Sequence, residues 1–104
     1  YGEGAVTIRA NPSLLRPASR RETLVRMLRN LKAIYLRRGE TALALAKVSA
    51  VLALEPDSAD ELRDRGLLYR DLGYTPAALE DLRRFIRVSD RGDEIAAVSR
   101  VIDE

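Results

Sequence analysis

LRNLKAIYLRRGETALAL, residues 28–45, and LRDRGLLYRDLGYTPAAL, residues 62–79, are two versions of one template. A lag of 34 residues lays Leu28 on Leu62, Tyr35 on Tyr69, Gly39 on Gly73, Thr41 on Thr75, Ala44 on Ala78 and Leu45 on Leu79 without a gap, and Leu54 falls on Val88 further along. Self-similarity at a fixed period of about 20–50 residues marks a stacked repeat, in which each unit leaves an apolar face for its neighbour to cover.

Working outward, each copy divides into two helices. Ser19-Arg20-Arg21-Glu22 has the spacing of a capping box, which predicts a first helix from about residue 20 to 38. Leu24, Leu28, Leu31 and Tyr35, flanked by Met27 and Ile34, recur along one face of it, and Gly39 suits the left-handed position past its end. Thr41 is the expected cap of a second helix carrying Leu45, Val48, Val51 and Leu52, which Glu55-Pro56 closes. Ser58-Ala59-Asp60-Glu61 repeats the capping box, and the third helix bears Leu62, Tyr69 and Leu72, with Gly66 among them, until Gly73. Thr75 as cap and Pro76 at the first helical position open a fourth, with Leu79, Leu82, Phe85 and Ile86 as its buried side. Ile95, Val98 and Ile102 then make residues 93–103 a lid over the last hairpin.

The period and these residue types resemble the tetratricopeptide repeat, a helix–turn–helix unit with a Leu-Gly-x-x-Tyr, Ala-x-x-x-Phe, Pro pattern. The resemblance implies an all-α fold of two helix-turn-helix repeats in a right-handed superhelix, about residues 25–58 and 59–92, with the capping helix behind them. Three positions depart from the pattern: Lys32 where a small residue usually lets the two helices approach, Arg65 for a leucine, and Asp90 for the proline that Pro56 supplies in the first copy. Lys32 leads one to expect a splayed first hairpin.

Leu15-Arg16-Pro17, the run from Arg26 to Gly39 and Leu62-Arg63-Asp64-Arg65-Gly66-Leu67 narrow the resemblance to the C-terminal tail of the SirB-type bacterial proteins. Those proteins join a transglutaminase-like domain to tetratricopeptide repeats, so the resemblance implies a piece of a longer protein. Any catalytic residues would lie upstream, and none transfers to this chain.

Residues 1–18 do not repeat. Val6 and Ile8 alternate with polar neighbours, and Pro12 and Pro17 enclose Leu14-Leu15. An extended arm packed on the first helix, or the remnant of an upstream domain, fits better than an isolated strand, which is marginal in water.

Composition closes several function classes. The 104 residues make one domain, 46% hydrophobic and 33% charged, too apolar for disorder and too often interrupted by charge for a membrane span. Without Cys or His there is no thiol or imidazole nucleophile and no common zinc site. The expectation is a non-catalytic chain without cofactor or metal, and the lack of Cys suggests the reducing cytoplasm. The carboxylates Asp57, Asp60, Glu61 and Asp64 sit at a helix start, where acids complement the dipole, and are not read as ligands.

Charge is uneven. Residues 1–38 hold nine Lys/Arg against two acids, and residues 39–104 hold nine against fourteen. The first helices of tetratricopeptide repeats line a concave groove. Carrying the usual groove positions across puts Arg26, Arg29, Asn30, Ala33 and Arg37 there from the first repeat, and Asp60, Arg63, Asp64, Leu67 and Arg70 from the second. The functional reading is a groove that clamps an acidic or C-terminal peptide, with charge reversal at Arg29 and Arg63 expected to leave folding intact and weaken such a partner. The alternative is that the arginines are solvated or pair with acids of the neighbouring helix. The dicarboxylate clamp of chaperone-binding repeats needs asparagine at two positions that Ala33 and Asp64 hold, which argues against it. Docking on an upstream domain or homodimerisation is a further reading, since two repeats fall below the usual three. Nucleic acid is disfavoured because the basic residues of the first helix point to several sides.

Overall fold

A computed structural model describes residues 17–103, with side chains from residue 20 onward. Among the described residues five helices follow one another: α1 (Pro17–Arg37), α2 (Thr41–Leu54), α3 (Ala59–Asp71), α4 (Thr75–Val88) and α5 (Gly92–Asp103). The described residues contain no strand; the alternation at residues 5–10 and the arm lie outside them. The fold is an all-α helical repeat, with α1 packed along α2, α3 along α4, α2 against α3, and α5 against α4.

The period survives at the level of single hydrogen bonds. At the end of α1 the Glu40 N–H donates to Tyr35 C=O (2.9 Å) and Gly39 N–H to Leu36 C=O (3.1 Å). At the end of α3 the Tyr74 N–H donates to Tyr69 C=O (2.8 Å) and Gly73 N–H to Arg70 C=O (3.0 Å). Both are Schellman turns, and they need a left-handed residue, which Gly39 (φ 73°) and Gly73 (φ 84°) supply. The three-residue connections that result, 38–40 and 72–74, leave each pair of helices antiparallel neighbours.

Helix starts differ from the sequence reading. Helix α1 begins at Pro17, so Ser19 lies inside it and is not its cap. Thr41 and Thr75 are the first helical residues; Glu40 and Tyr74 occupy the cap positions, and neither gives a side-chain cap bond. Proline preorganises α1 and α4 at their starts, and the carbonyls of Glu40, Ser58 and Tyr74 accept the first intrahelical bonds of α2, α3 and α4 from the Ala44, Leu62 and Ala78 N–H groups.

The core comprises Ala44, Val48 and Leu52 of α2, Leu62 and Leu68 of α3, Leu82 and Phe85 of α4 and Val98 of α5, with Tyr35, Ile86, Ile95 and Ile102 packed against it. Helix α2 carries a single charge and buries Ala44, Val48, Val51 and Leu52 between α1 and α3. Helix α5 covers the end of the stack as the sequence pattern requires. At the α3–α4 seam Gly66 sets the approach: a Cβ there would lie 2.6 Å from Leu82 Cδ2 and 3.3 Å from Ala78 O.

Lys32 does not splay the first hairpin. Helix α1 packs along α2 about as extensively as α3 along α4, because the Lys32 side chain leaves the seam sideways toward α3.

Candidate functional site

Charged side chains of α1 and α3 are held together across the two repeats. Lys32 Nζ lies 2.9 and 3.1 Å from the two Glu61 oxygens and 2.9 Å from Asp64 Oδ2. Arg29 Nε donates to Glu61 Oε1 (3.1 Å), and Arg29 Nη2 donates to Ser58 Oγ (3.3 Å). Glu61 is 1% exposed. It sits at the third helical position, where a capping-box acid would turn back to Ser58, but here two cations of α1 hold it. A carboxylate this deep needs such partners, because an unpaired buried charge is strongly destabilising.

The chain of charges continues toward the last helix. Arg63 donates through Nε and Nη2 to Asp64 Oδ1 (3.2 and 3.1 Å) and through Nη1 to Glu94 of α5. Arg91 donates to Asp60 Oδ1 (2.9 Å) and Arg84 to Asp57 Oδ1 (2.9 Å). Every acid of the Asp57–Asp64 cluster therefore has a basic partner. Burial lowers the Lys32 pKa, but hydrogen bonds to Glu61 and Asp64 and the charge of both outweigh it and leave the group raised above its usual value.

Within the second repeat, Arg65 pairs bidentately with Asp81, Nε to Oδ2 at 2.6 Å and Nη2 to Oδ1 at 2.9 Å. Asp81 is 5% exposed, and the Arg65 guanidinium also stands 5.7 Å from the centre of the Tyr69 ring. The hydrogen bonds to Asp81 hold the Arg65 pKa above its usual value. This pair joins α3 to α4 where the first repeat has Leu31 and Lys47.

The proposed groove residues therefore divide. Arg26, Arg29 and Asn30 come together with Arg21, Glu22, Val25 and Glu55 around a cleft of about 330 Å³. Arg37 is exposed at the end of α1, and Ala33 is half-buried. Arg63 belongs to the ion pairs with α5, and Leu67 packs against the core. Arg70 borders a second, apolar cleft of about 210 Å³ with Thr75, Ala78, Leu79, Leu82, Val101 and Ile102. Arg29 and Arg63 are not replaceable without consequence, since an acid at position 29 would face the buried Glu61. Lys32, Glu61, Arg65 and Asp81 were missed as a set. Their one sequence signal is that Lys32 and Arg65 break the repeat pattern; the acids that answer them are separated from them by 29 and 16 residues.

A family model described as tetratricopeptide repeat matches residues 31–103. A UPF0162 protein of Xylella fastidiosa (strain Temecula1 / ATCC 700964) is 40% identical over 80 residues, covering 77% of this chain and 28% of the relative. The UPF0162 protein YchA of Escherichia coli K12 is 37% identical over 65 residues, 62% of this chain and 24% of its own length. Protein SirB1 of Salmonella typhimurium is 35% identical over 69 residues, 66% and 26% respectively. The chain thus spans about a quarter of the length of these curated relatives. No solved structure matches. Among the described residues no helix is long and apolar enough to cross a membrane.

Proposed function

Since the chain belongs to the tetratricopeptide repeat family, we propose that it is a non-catalytic protein-interaction module whose ligand is an acidic peptide segment bound at the first end of the groove. The observation that carries this reading is the cleft of about 330 Å³, where three guanidinium groups (Arg21, Arg26, Arg29) and the Asn30 amide face two acids. Among the described residues, Arg21 and Arg26 enter no ion pair, so their donors are available to a carboxylate. Arginine presents a planar pair of donors to a carboxylate, each charge-assisted bond contributing about 1.5–3 kcal/mol when water is partly excluded. Arg29 positions Glu61 and Glu55 and completes the wall; Ala33 and Arg37 extend it. Arg63, Leu67 and Arg70 lie further along and serve the stack first.

Membership of a longer protein of the cytoplasm is the wider setting we propose, supported by the greater length of the SirB-type relatives and the absence of Cys; a transglutaminase-like part of it rests on the family resemblance of the sequence. In that setting the same module has a second reading, docking on another part of its own chain. The observation favouring it is that about three quarters of each relative lies outside the match.

Fluorescence anisotropy with a labelled five-residue Asp/Glu peptide, and with its Asn/Gln counterpart, tests the groove. The acidic probe should bind at least about tenfold more tightly at low salt, and Arg26→Ala should remove about tenfold of that affinity. Equal affinity for both probes, or binding indifferent to Arg26→Ala, rules the cleft out.

A further inference from the structure

The last two helices share an apolar cleft that passes into a cationic surface. Ala78, Leu79 and Leu82 of α4 and Val101 and Ile102 of α5 line about 210 Å³ between the two helices. Thr75 and Leu79 also border a larger hollow of about 530 Å³ along α4, whose other walls include Glu80, Arg83 and Arg87. The two hollows are therefore one continuous surface, apolar near the start of α4 and charged beyond it. Arg83 and Arg87 are exposed, and among the described residues they enter no ion pair, unlike their neighbour Arg84, which holds Asp57.

The internal repeat shows what is unusual here. A shift of 34 residues puts Glu80, Arg83 and Arg87 on Ala46, Ser49 and Ala53 of α2. That face of α2 is small and uncharged, and Ser49 and Ala53 line a cleft together with Arg84 of the next hairpin. On α4 the small residues are exchanged for two guanidinium groups and a carboxylate, while Thr75 and Leu79 keep the types of Thr41 and Leu45. Small side chains admit a neighbouring hairpin closely. Arginines four residues apart, about 6 Å along the axis, instead offer paired donors to carboxylates at the same spacing. Exposed ion pairs contribute little alone, and the adjoining apolar cleft supplies the anchor that charge lacks.

We propose that this surface binds an acidic amphipathic helix of a partner protein, with one aliphatic side chain in the cleft between α4 and α5 and two carboxylates at Arg83 and Arg87. Leu79, Arg83 and Arg87 follow one another at intervals of four residues. A helix lying along α4 therefore presents its matching groups at i, i+4 and i+8, again about 6 Å apart. A second copy of this chain does not supply the pattern: among the described residues no exposed leucine, valine or methionine has acids four and eight residues away in either direction. The site lies on α4 and α5, away from Arg26 and Arg29 of α1, and the inference does not depend on the groove reading.

Fluorescence anisotropy tests it with a labelled helical peptide of about twenty residues, built on alanine and glutamine with one Leu and with Glu four and eight positions beyond it. Replacing both Glu by Gln should weaken binding about tenfold or more, and replacing Leu by Ala about threefold or more. The double variant Arg83→Ala with Arg87→Ala should lose about tenfold, whereas Arg26→Ala should leave the affinity unchanged. Both arginines are exposed, so the double variant should keep the Tm of the wild type. Equal affinity for the Glu and Gln probes overturns the proposal, as does binding indifferent to the double variant. Loss of binding on Arg26→Ala alone also overturns it, and would move the peptide to the cleft on α1. A dimer by light scattering that the double variant dissociates would make a second copy the occupant and overturn it as well.

Discussion

The α3–α4 hairpin buries Leu62, Leu82 and Phe85 to 1% exposure or less, whereas α1 of the first hairpin leaves Leu24, Met27 and Leu31 at 37% or more. Both hairpins are copies of one template, joined by the same Schellman turn in the same register. What differs is place in the stack. Helices α3 and α4 have α2 on one side and α5 on the other, while among the described residues α1 has a neighbouring hairpin on one side. The seams differ as well: Gly66 allows contact with Leu82, and its counterpart Lys32 spends its length reaching the next repeat. A repeat motif thus specifies the shape of its unit, and two departures from it mark cations recruited to hold helices together, Lys32 between the repeats and Arg65 within the second.

The contrast can be broken most forcefully in the middle hairpin. Leu62→Ala should destabilise by about 2–5 kcal/mol, and Leu28→Ala, at the half-buried equivalent, by less than half as much. Urea unfolding of both gives the ratio, and equal losses would mean the first hairpin is as well covered as the second. Lys32→Met should cost about 2–3 kcal/mol, near the lower limit for orphaning a buried charge, because Arg29 still holds one Glu61 oxygen. The double variant with Glu61→Leu should regain most of that, as removing both charges often does. If the double variant is worse than the single, Glu61 has a structural role beyond the pair.

Gly66→Ala sets helix propensity, worth about 1 kcal/mol in favour of alanine, against a methyl forced into Leu82. Overpacking of about 1–3 kcal/mol should win, so a net loss is expected, and a gain in Tm would show that the seam can open. The smallest effect is on alkaline stability. Lys32 has a folded pKa raised above its unfolded value, so its contribution is complete below about pH 10 and falls away as pH rises through the folded value. The stability difference between the wild type and Lys32→Met should therefore shrink with rising pH in that range. A constant difference would show that the lysine acts by packing alone.

Much of this was legible in the chain because it rests on local rules. The left-handed glycines, the apolar spacing and the proline punctuation each act within a turn or two of helix, and the lag of 34 residues repeats them. The caps were misplaced because a serine or threonine near a helix start has several uses. Ser58 occupies the cap position, yet its hydroxyl accepts from Arg29 and Glu61 turns to Lys32. The candidate groove was legible only as a set of positions, since the repeat resemblance puts Arg26, Arg29 and Arg63 on one side without saying which acids reach them.

The sequence by itself determined the repeat, the number and order of helices and the turns between them, since these depend on periodicity and on single residues whose conformations are restricted. Only the tertiary structure decided which arginines are spent on internal ion pairs and which face the cleft, and that the lysine in the small-residue position ties α1 to α3 without opening its own hairpin. The physical reason is that a long charged side chain has many rotamers of similar energy, and its choice is made by a carboxylate that folding brings within 3 Å from about 30 residues away.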